Sequence, residues 1–144
     1  MMIERSVSVI IPSYNRAHLL WEILPSYFQH EVLEVIVIND CSKDKTNEVL
    51  QEIKQKYPQL IILENEKNSK QMFSKNRGLD IAKGKYIFFG DDDSYFLPDT
   101  IKQMLETKRK TGADIVGARI IYMDRNEHEF NQCIERHKTE GRFI

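Results

Sequence analysis

Short apolar runs rich in β-branched residues alternate along the chain with longer stretches whose apolar positions fall at helical spacing. "VSVII" (residues 7–11) is a nearly continuous apolar strand that ends at Pro12. "AHLLWEILPSYF" (17–28) follows, with Leu19, Leu20, Ile23 and Leu24 at helical spacing and Tyr27 and Phe28 continuing that face past Pro25. Proline lacks the N–H that a helix interior needs, so the last turn is expected to kink or loosen there. "LEVIVIN" (33–39) is a second buried strand, and "CSKDKT" carries helix-start chemistry ahead of an inner face made by Val49, Leu50 and Ile53. "QLIILEN" (59–65) reads as a third strand and "EKNSK" as a polar loop. A helix is predicted over 71–83 with Met72, Leu79 and Ala82 inward, and Gly84 as a left-handed cap before "KYIFFG", the fourth strand. Pro98 suits a helix start, Ile101, Met104 and Leu105 face inward, and "ADIVGARIIYM" (113–123) is a fifth strand.

Strands apolar on both faces and separated by helices predict an α/β fold, a three-layer α/β/α sandwich with a mainly parallel sheet. In such open sheets, ligands bind at the carboxyl ends of strands, near the point where strand order reverses. The polar segments fall at those ends: "PSYNR" after the first strand, "NDCS" after the second and "GDDDS" after the fourth. Residues 1–123 are thus expected as one α/β domain. The polar, weakly periodic segment 124–144 reads as a further part begun rather than a closing element. His128 and His137 within it match no ligand spacing and read as solvated.

Composition narrows the classes without choosing among them. At 144 residues, 41% hydrophobic and 30% charged, the chain has the length and balance of one globular domain. A formal net charge of −1 gives no whole-molecule attraction to nucleic acid, so no nucleic-acid partner is expected. Cys41 and Cys133 match no zinc or redox spacing and read as reduced thiols of a cytoplasmic protein. The longest apolar runs fall well short of the roughly 20 residues of a spanning helix. Peripheral association at the inner face of a membrane stays open, as does homo-oligomerisation.

The aspartates Asp91, Asp92 and Asp93 carry the strongest chemical signal. Two unit charges about 4 Å apart interact by about 4 kcal/mol at an effective dielectric near 20. A helix N-terminus returns only about 0.3–1 kcal/mol to a nearby acid. Such clustering therefore asks for a cation, and hard oxygen ligands suit Mg2+ or Mn2+, held by one or two carboxylates plus substrate phosphates. A diphosphate substrate follows, with Lys70, Lys75 and Arg77 as further positive charge or as solvated helix faces. Asp40 in "NDCS", acceptor-only when ionised, suits a donor such as the imide N–H of uracil. Tyr14 offers a ring to stack on a base, and Asn15 an amide for its polar edges. Together these describe a nucleotide lying across strand ends.

These segments resemble the inverting family 2 glycosyltransferases with their GT-A fold. "VSVIIPSYNR" is close to that family's opening strand and turn, and "EVIVINDCSKDKT" to its second strand. "NSKQMFSKNRGLDIAKGKYIFFGDDDSYFLPDTI" is similar to its central block with the Asp-x-Asp motif, so the likeness runs over about residues 5–110. The resemblance implies that Pro12 and Tyr14 cradle and stack on uracil and that Asp40 bonds the base. It implies that Asp93 ligates Mn2+ or Mg2+ with Asp91 as the first acid of the pair, and that Asp92 contacts the donor ribose. Lys75 stands where the family commonly has arginine, Lys70 and Cys41 where it has glycine, and Asn39 where it has a first aspartate. A basic residue at the position of Lys70 reaches the nucleotide in some relatives.

A metal-dependent glycosyltransferase is therefore expected, taking a sugar from a nucleotide diphosphate, with UDP as the base to expect, to a saccharide or glycolipid acceptor hydroxyl. The family's catalytic base is an aspartate of its second half, beyond Ile144, so 1–123 is read as the donor-binding domain and 124–144 as the start of the acceptor-binding half. The alternative is a nucleotide-binding module without transferase activity. A phosphotransferase with an aspartate nucleophile would place its acids after the first strand, and a dinucleotide-binding domain would want glycines in "PSYNRA".

Overall fold

The structure, a computed structural model, describes residues 4–120. The chain divides into two compact units, the first closing at Ile101 and the second opening at Lys102. The first unit holds four strands: β1 Val7–Ser13, β2 Val32–Asn39, β3 Leu60–Glu64 and β4 Tyr86–Phe89. All pair in parallel, in the order β3-β2-β1-β4. Helices α1 (Leu20–Ile23), α2 (Thr46–Lys56) and α3 (Lys70–Ile81) connect them, and α4 (Thr100–Thr111) follows β4. The chain steps from β1 outward to β3 and then returns to the other side of β1, so strand order reverses between β1 and β4. Crevices for ligands open at such a reversal.

Side chains alternate across a strand, so the register assigns each to a face. Ile10, Ile36, Ile38, Ile61 and Leu63 share one face with Ile87 and Phe89. Helix α3 lies on it, so close that a Cβ on Gly78 would stand 2.5 Å from Ile10 Cγ2 and 3.2 Å from Ile38 Cδ1. The inward positions of α3 are therefore Ser74 and Gly78, with Ala82 packed just beyond. Met72 and Leu79, expected inward, are 73% and 40% exposed. Close helix–sheet approach selects small residues, which an apolar period does not register. The opposite face carries the buried Leu20 and Ile23 of α1 and Leu50 and Ile53 of α2. Helices on both faces make the expected three layers.

Pro25 acts as expected: α1 ends at Ile23 and the chain continues as a 3₁₀ turn, Leu24–Tyr27. Gly84 is not left-handed. It is small because a Cβ there would stand 2.5 Å from the backbone N of Ser8. Among the described residues the left-handed glycine is Gly112, φ +69°, whose N–H closes α4 on the carbonyl of Lys108 at 2.9 Å. At the amino ends of the strands the buried Glu34 accepts from Ser8 Oγ at 2.6 Å and from the Lys83 N–H at 2.7 Å, fixing the α3–β4 turn. Pro98 precedes α4 by one turn residue, Asp99, rather than opening the helix. Residues 113–120 form no strand. A strand exists only where a neighbour supplies backbone partners, and none is assigned to this segment among the described residues. Residues 121–123 of that predicted strand lie outside the described residues, as does segment 124–144 with Cys133, His128 and His137.

Candidate functional site

The loops after β1, β2 and β4 meet at the reversal point. The Asp40 N–H donates to the Ser13 carbonyl at 2.8 Å, joining the ends of β1 and β2. Asn15 Oδ1 accepts the Lys43 N–H at 2.8 Å, and the Asn15 N–H donates to Ser42 Oγ at 2.9 Å. Across the reversal, the Tyr14 N–H donates to Asp92 Oδ2 at 3.3 Å, and Arg16 Nε lies 3.4 Å from Asp92 Oδ1. The sequence thus brings its three polar segments to one edge, as expected. Pro12 sits in β1 just before them, and the Tyr14 ring is 37% exposed at the loop.

Asp40 is buried and does two jobs' worth of bonding. Its Oδ1 accepts from Asn65 Nδ2 at 2.6 Å and the Ser69 N–H at 2.7 Å, and its Oδ2 accepts the Lys70 N–H at 2.9 Å. The orphan N–H groups at the start of α3 are thus capped by a carboxylate from the end of β2, where Ser69 itself makes no side-chain cap. Burial alone would raise the Asp40 pKa. The Ser69 N–H, Asn65 amide, Lys70 N–H and Lys70 ammonium outweigh it and hold the carboxyl below its ordinary value. An ionised carboxylate offers about four lone-pair positions, so these three donors leave one acceptor position on Oδ2. Asn65 is itself oriented by Arg77, which donates to Asn65 Oδ1 and to the Glu64 carbonyl, both at 2.6 Å. Arg77 is therefore engaged at the end of β3.

Asn39 uses both halves of its amide. Buried at 3% exposure, it accepts the Ser42 N–H at 3.2 Å and donates to Glu64 Oε1 at 3.4 Å. An aspartate cannot donate and would face that carboxylate with like charge. Cys41 and Lys70 have φ of +59° and +67°, and Asn15 has +53°. Three side chains are thus held in left-handed backbone around one site, where such conformations cost of order 1–3 kcal/mol each. Lys75 extends over the exposed Phe89 ring, 5.5 Å from its centroid, one residue from Gly90.

The three aspartates separate in direction. Asp92 is turned to Arg16 and Tyr14, while Asp91 and Asp93 are exposed. Burial pushes the Asp92 carboxyl above its ordinary value, and Arg16 and the Tyr14 N–H work against that rise. Among the described residues no group of three or more His, Cys, Asp or Glu is placed to hold a metal ion. The donor set that remains, two exposed carboxylates spaced by one inward residue, fits a Mg2+ or Mn2+ ion completed by substrate phosphates rather than an all-protein cage.

Sequence reasoning missed Arg16, Ser26, Tyr27, Gln29 and Asn65. Tyr27 was expected as part of an apolar face. Its ring is, but its hydroxyl bonds the Asp91 and Ser94 backbone.

A site of strand-end loops at the reversal point of a parallel sheet defines the class: open α/β folds that bind their ligand at the strand ends. The chain belongs to one family of it: the model of Glycosyl transferase family 2 matches residues 8–143. It is 32% identical over 102 residues to a putative teichuronic acid biosynthesis glycosyltransferase of Bacillus subtilis, covering 69% of this chain and 40% of that protein. It is 32% identical over 130 residues to the minor teichoic acid biosynthesis protein GgaB of the same organism, covering 86% of this chain and 14% of that one. The chain therefore spans less than half of either relative. S. aureus TarS in complex with UDP-GlcNAc superposes with a TM-score of 0.69 at 27% identity, over 81% of this chain and 37% of TarS. A mannosyltransferase of Pyrobaculum calidifontis, in complex with GDP-Man and Mn2+, gives 0.69 at 26%, over 79% of this chain and 34% of that one. The fold is that of the GT-A glycosyltransferases.

Proposed function

We propose that the chain is the donor-binding part of a metal-dependent inverting glycosyltransferase that takes its sugar from a UDP-sugar. The observation that carries this reading is the bridge from Asp92 to Tyr14 and Arg16. It closes the strand-order reversal so that the base-side residues and the acidic loop share one edge. Tyr14 stacks on the base, with Pro12 beside it, and Asp40 accepts the base N–H at its remaining lone pair while Asn15 keeps the loop in place. Asp92 lies toward the ribose. Asp91 and Asp93 hold Mn2+ or Mg2+, with Lys70 and Lys75 adding positive charge to the diphosphate. The ion supplies charge stabilisation for the departing diphosphate. Complexes of neighbours with UDP-GlcNAc, and with GDP-Man and Mn2+, support both the ligand class and the metal.

In this reading residues 1–123 bind the donor, and 124–144 begin the part that binds the acceptor and supplies the base. Relatives named for teichoic and teichuronic acid biosynthesis support a saccharide or glycolipid acceptor from such polymers. With it goes a cytoplasmic placement, at the inner membrane face when the acceptor is a glycolipid. No helix among the described residues is long and apolar enough to cross a membrane. Calorimetric titration with UDP, GDP and dTDP, with and without Mn2+, tests the proposal. UDP is expected to bind tightest, to require the metal and to lose binding in Asp93→Ala. Equal UDP affinity without metal overturns the assignment of Asp91 and Asp93.

A further inference from the structure

Between Gly90 and Asp99 the chain has no helix or strand, yet it carries the three aspartates. What fixes it is a short polar signature, "PSYFQ" (25–29), on and just after the 3₁₀ turn. Tyr27 Oη donates to the carbonyl of Ser94 at 2.9 Å or of Asp91 at 3.0 Å, and accepts the Asp91 N–H at 3.3 Å. Ser26 Oγ accepts the Phe96 N–H at 2.9 Å. Gln29 Nε2 donates to the Leu97 carbonyl at 2.8 Å, and its Oε1 accepts the Ile101 N–H at 3.0 Å. The Tyr27 ring is 1% exposed and packs on Phe96 with centroids 4.5 Å apart, and Phe96 packs in turn on Phe88 of β4 at 4.7 Å. A Cβ on Gly90 would stand 2.9 Å from Tyr27 Cε1, so the residue before the acids is a glycine because this ring lies under it.

We infer that Ser26, Tyr27 and Gln29 form a clamp that positions the acidic loop, with Tyr27 the positioning residue for Asp91 and Asp93. Its bonds grip the backbone on either side of Asp92 and Asp93, so the two outward carboxylates are presented by a braced turn rather than a free one. The like-charged pair would otherwise relax apart before the metal–diphosphate arrives, and a site that must be ordered on binding binds more weakly. Ser26 and Gln29 act further along the loop, so their contributions to metal coupling fall with distance from the acids. The inference rests on the proposed role of Asp91 and Asp93.

The test compares wild type with Tyr27→Phe, which keeps the ring and deletes only the hydroxyl, in two calorimetric titrations: uridine alone, and UDP with Mn2+. The expected result is an affinity for UDP–Mn2+ reduced about tenfold with uridine affinity reduced far less, since only Asp92 of the loop faces the nucleoside, together with faster amide exchange at Asp91 to Ser94. Ser26→Ala is expected to show a smaller loss of the same kind, and it carries the test alone should Tyr27→Phe not fold. A hydroxyl with only a structural role would lower both affinities by the same factor or lower neither, and either outcome overturns the clamp. Wild-type binding that ignores Mn2+ overturns the metal assignment and the clamp together, whereas metal-dependent wild-type binding with unaltered variants overturns the clamp alone.

Discussion

Asp40 joins a fold-level duty to a ligand-level one, and pH separates them. Its folded carboxyl lies below its ordinary value, so its contribution is fully present above the unfolded value of about 3.9 and is lost as pH falls through the lower folded value. Asp40→Asn keeps the shape but places an amide where N–H groups already converge, which should cost about 1–2 kcal/mol at pH 7. The stability gap between wild type and Asp40→Asn, measured in urea, is expected to be constant from pH 8 to 6 and to narrow as pH drops from about 5 toward 2. Because Asp92 is common to both proteins, its opposite shift cancels in the difference. A gap independent of pH would mean that the capping donors do not favour the ionised form. At this scale the strand-end residues were legible because chemistry forces their type: three consecutive acids, or an acid ending a buried strand, have few bland explanations. Arg16, Asn65 and Tyr27 were not, since each works through a contact between segments at least 12 positions apart in sequence.

The strands and connecting helices of the first unit were legible from period and punctuation, and the misreadings of the α3 face and of Gly84 share one physical cause. Periodicity reports which side chains are apolar, not how near two backbones come. Helix α3 shows this: its buried line is Ser74 and Gly78, and its apolar line of Met72 and Leu79 faces out. Gly84, likewise, is required by approach to Ser8 rather than by a left-handed turn. The substitution Gly78→Ala tests the point, because helix propensity alone predicts about 1 kcal/mol of gain. Overpacking against the branched methyl of Ile10 is expected to cost about 1–3 kcal/mol and to prevail. A fall in the urea midpoint at unchanged m-value is the expected reading. A rise would show that α3 can lift from the sheet at little cost.

Across the first unit as a whole, the two sheet faces differ in how completely they are covered. The face under α1 and the 3₁₀ turn buries Val9, Ile11, Val35 and Val37 fully. On the α3 face, cover ends before β4: Ile87 and Phe89 are 38% and 45% exposed, on the strand that forms one edge of the sheet. Lys75 over the Phe89 ring shades it only in part, and Met72 and Leu79 on α3 add apolar surface. Apolar side chains grouped beside a strand that has no second neighbour among the described residues are a template for association. The 144-residue chain is therefore expected to self-associate reversibly as concentration rises, seen by light scattering. The triple substitution Met72→Lys, Leu79→Lys and Ile87→Thr should suppress this association. Exposed positions rarely shift stability by more than about 0.5 kcal/mol each, so the urea midpoint should move little. Metal-dependent UDP binding should persist in the triple variant, because none of the three residues lies in the strand-end loops. Scattering unchanged by the triple variant would show that the α3–β4 surface is not what brings copies together.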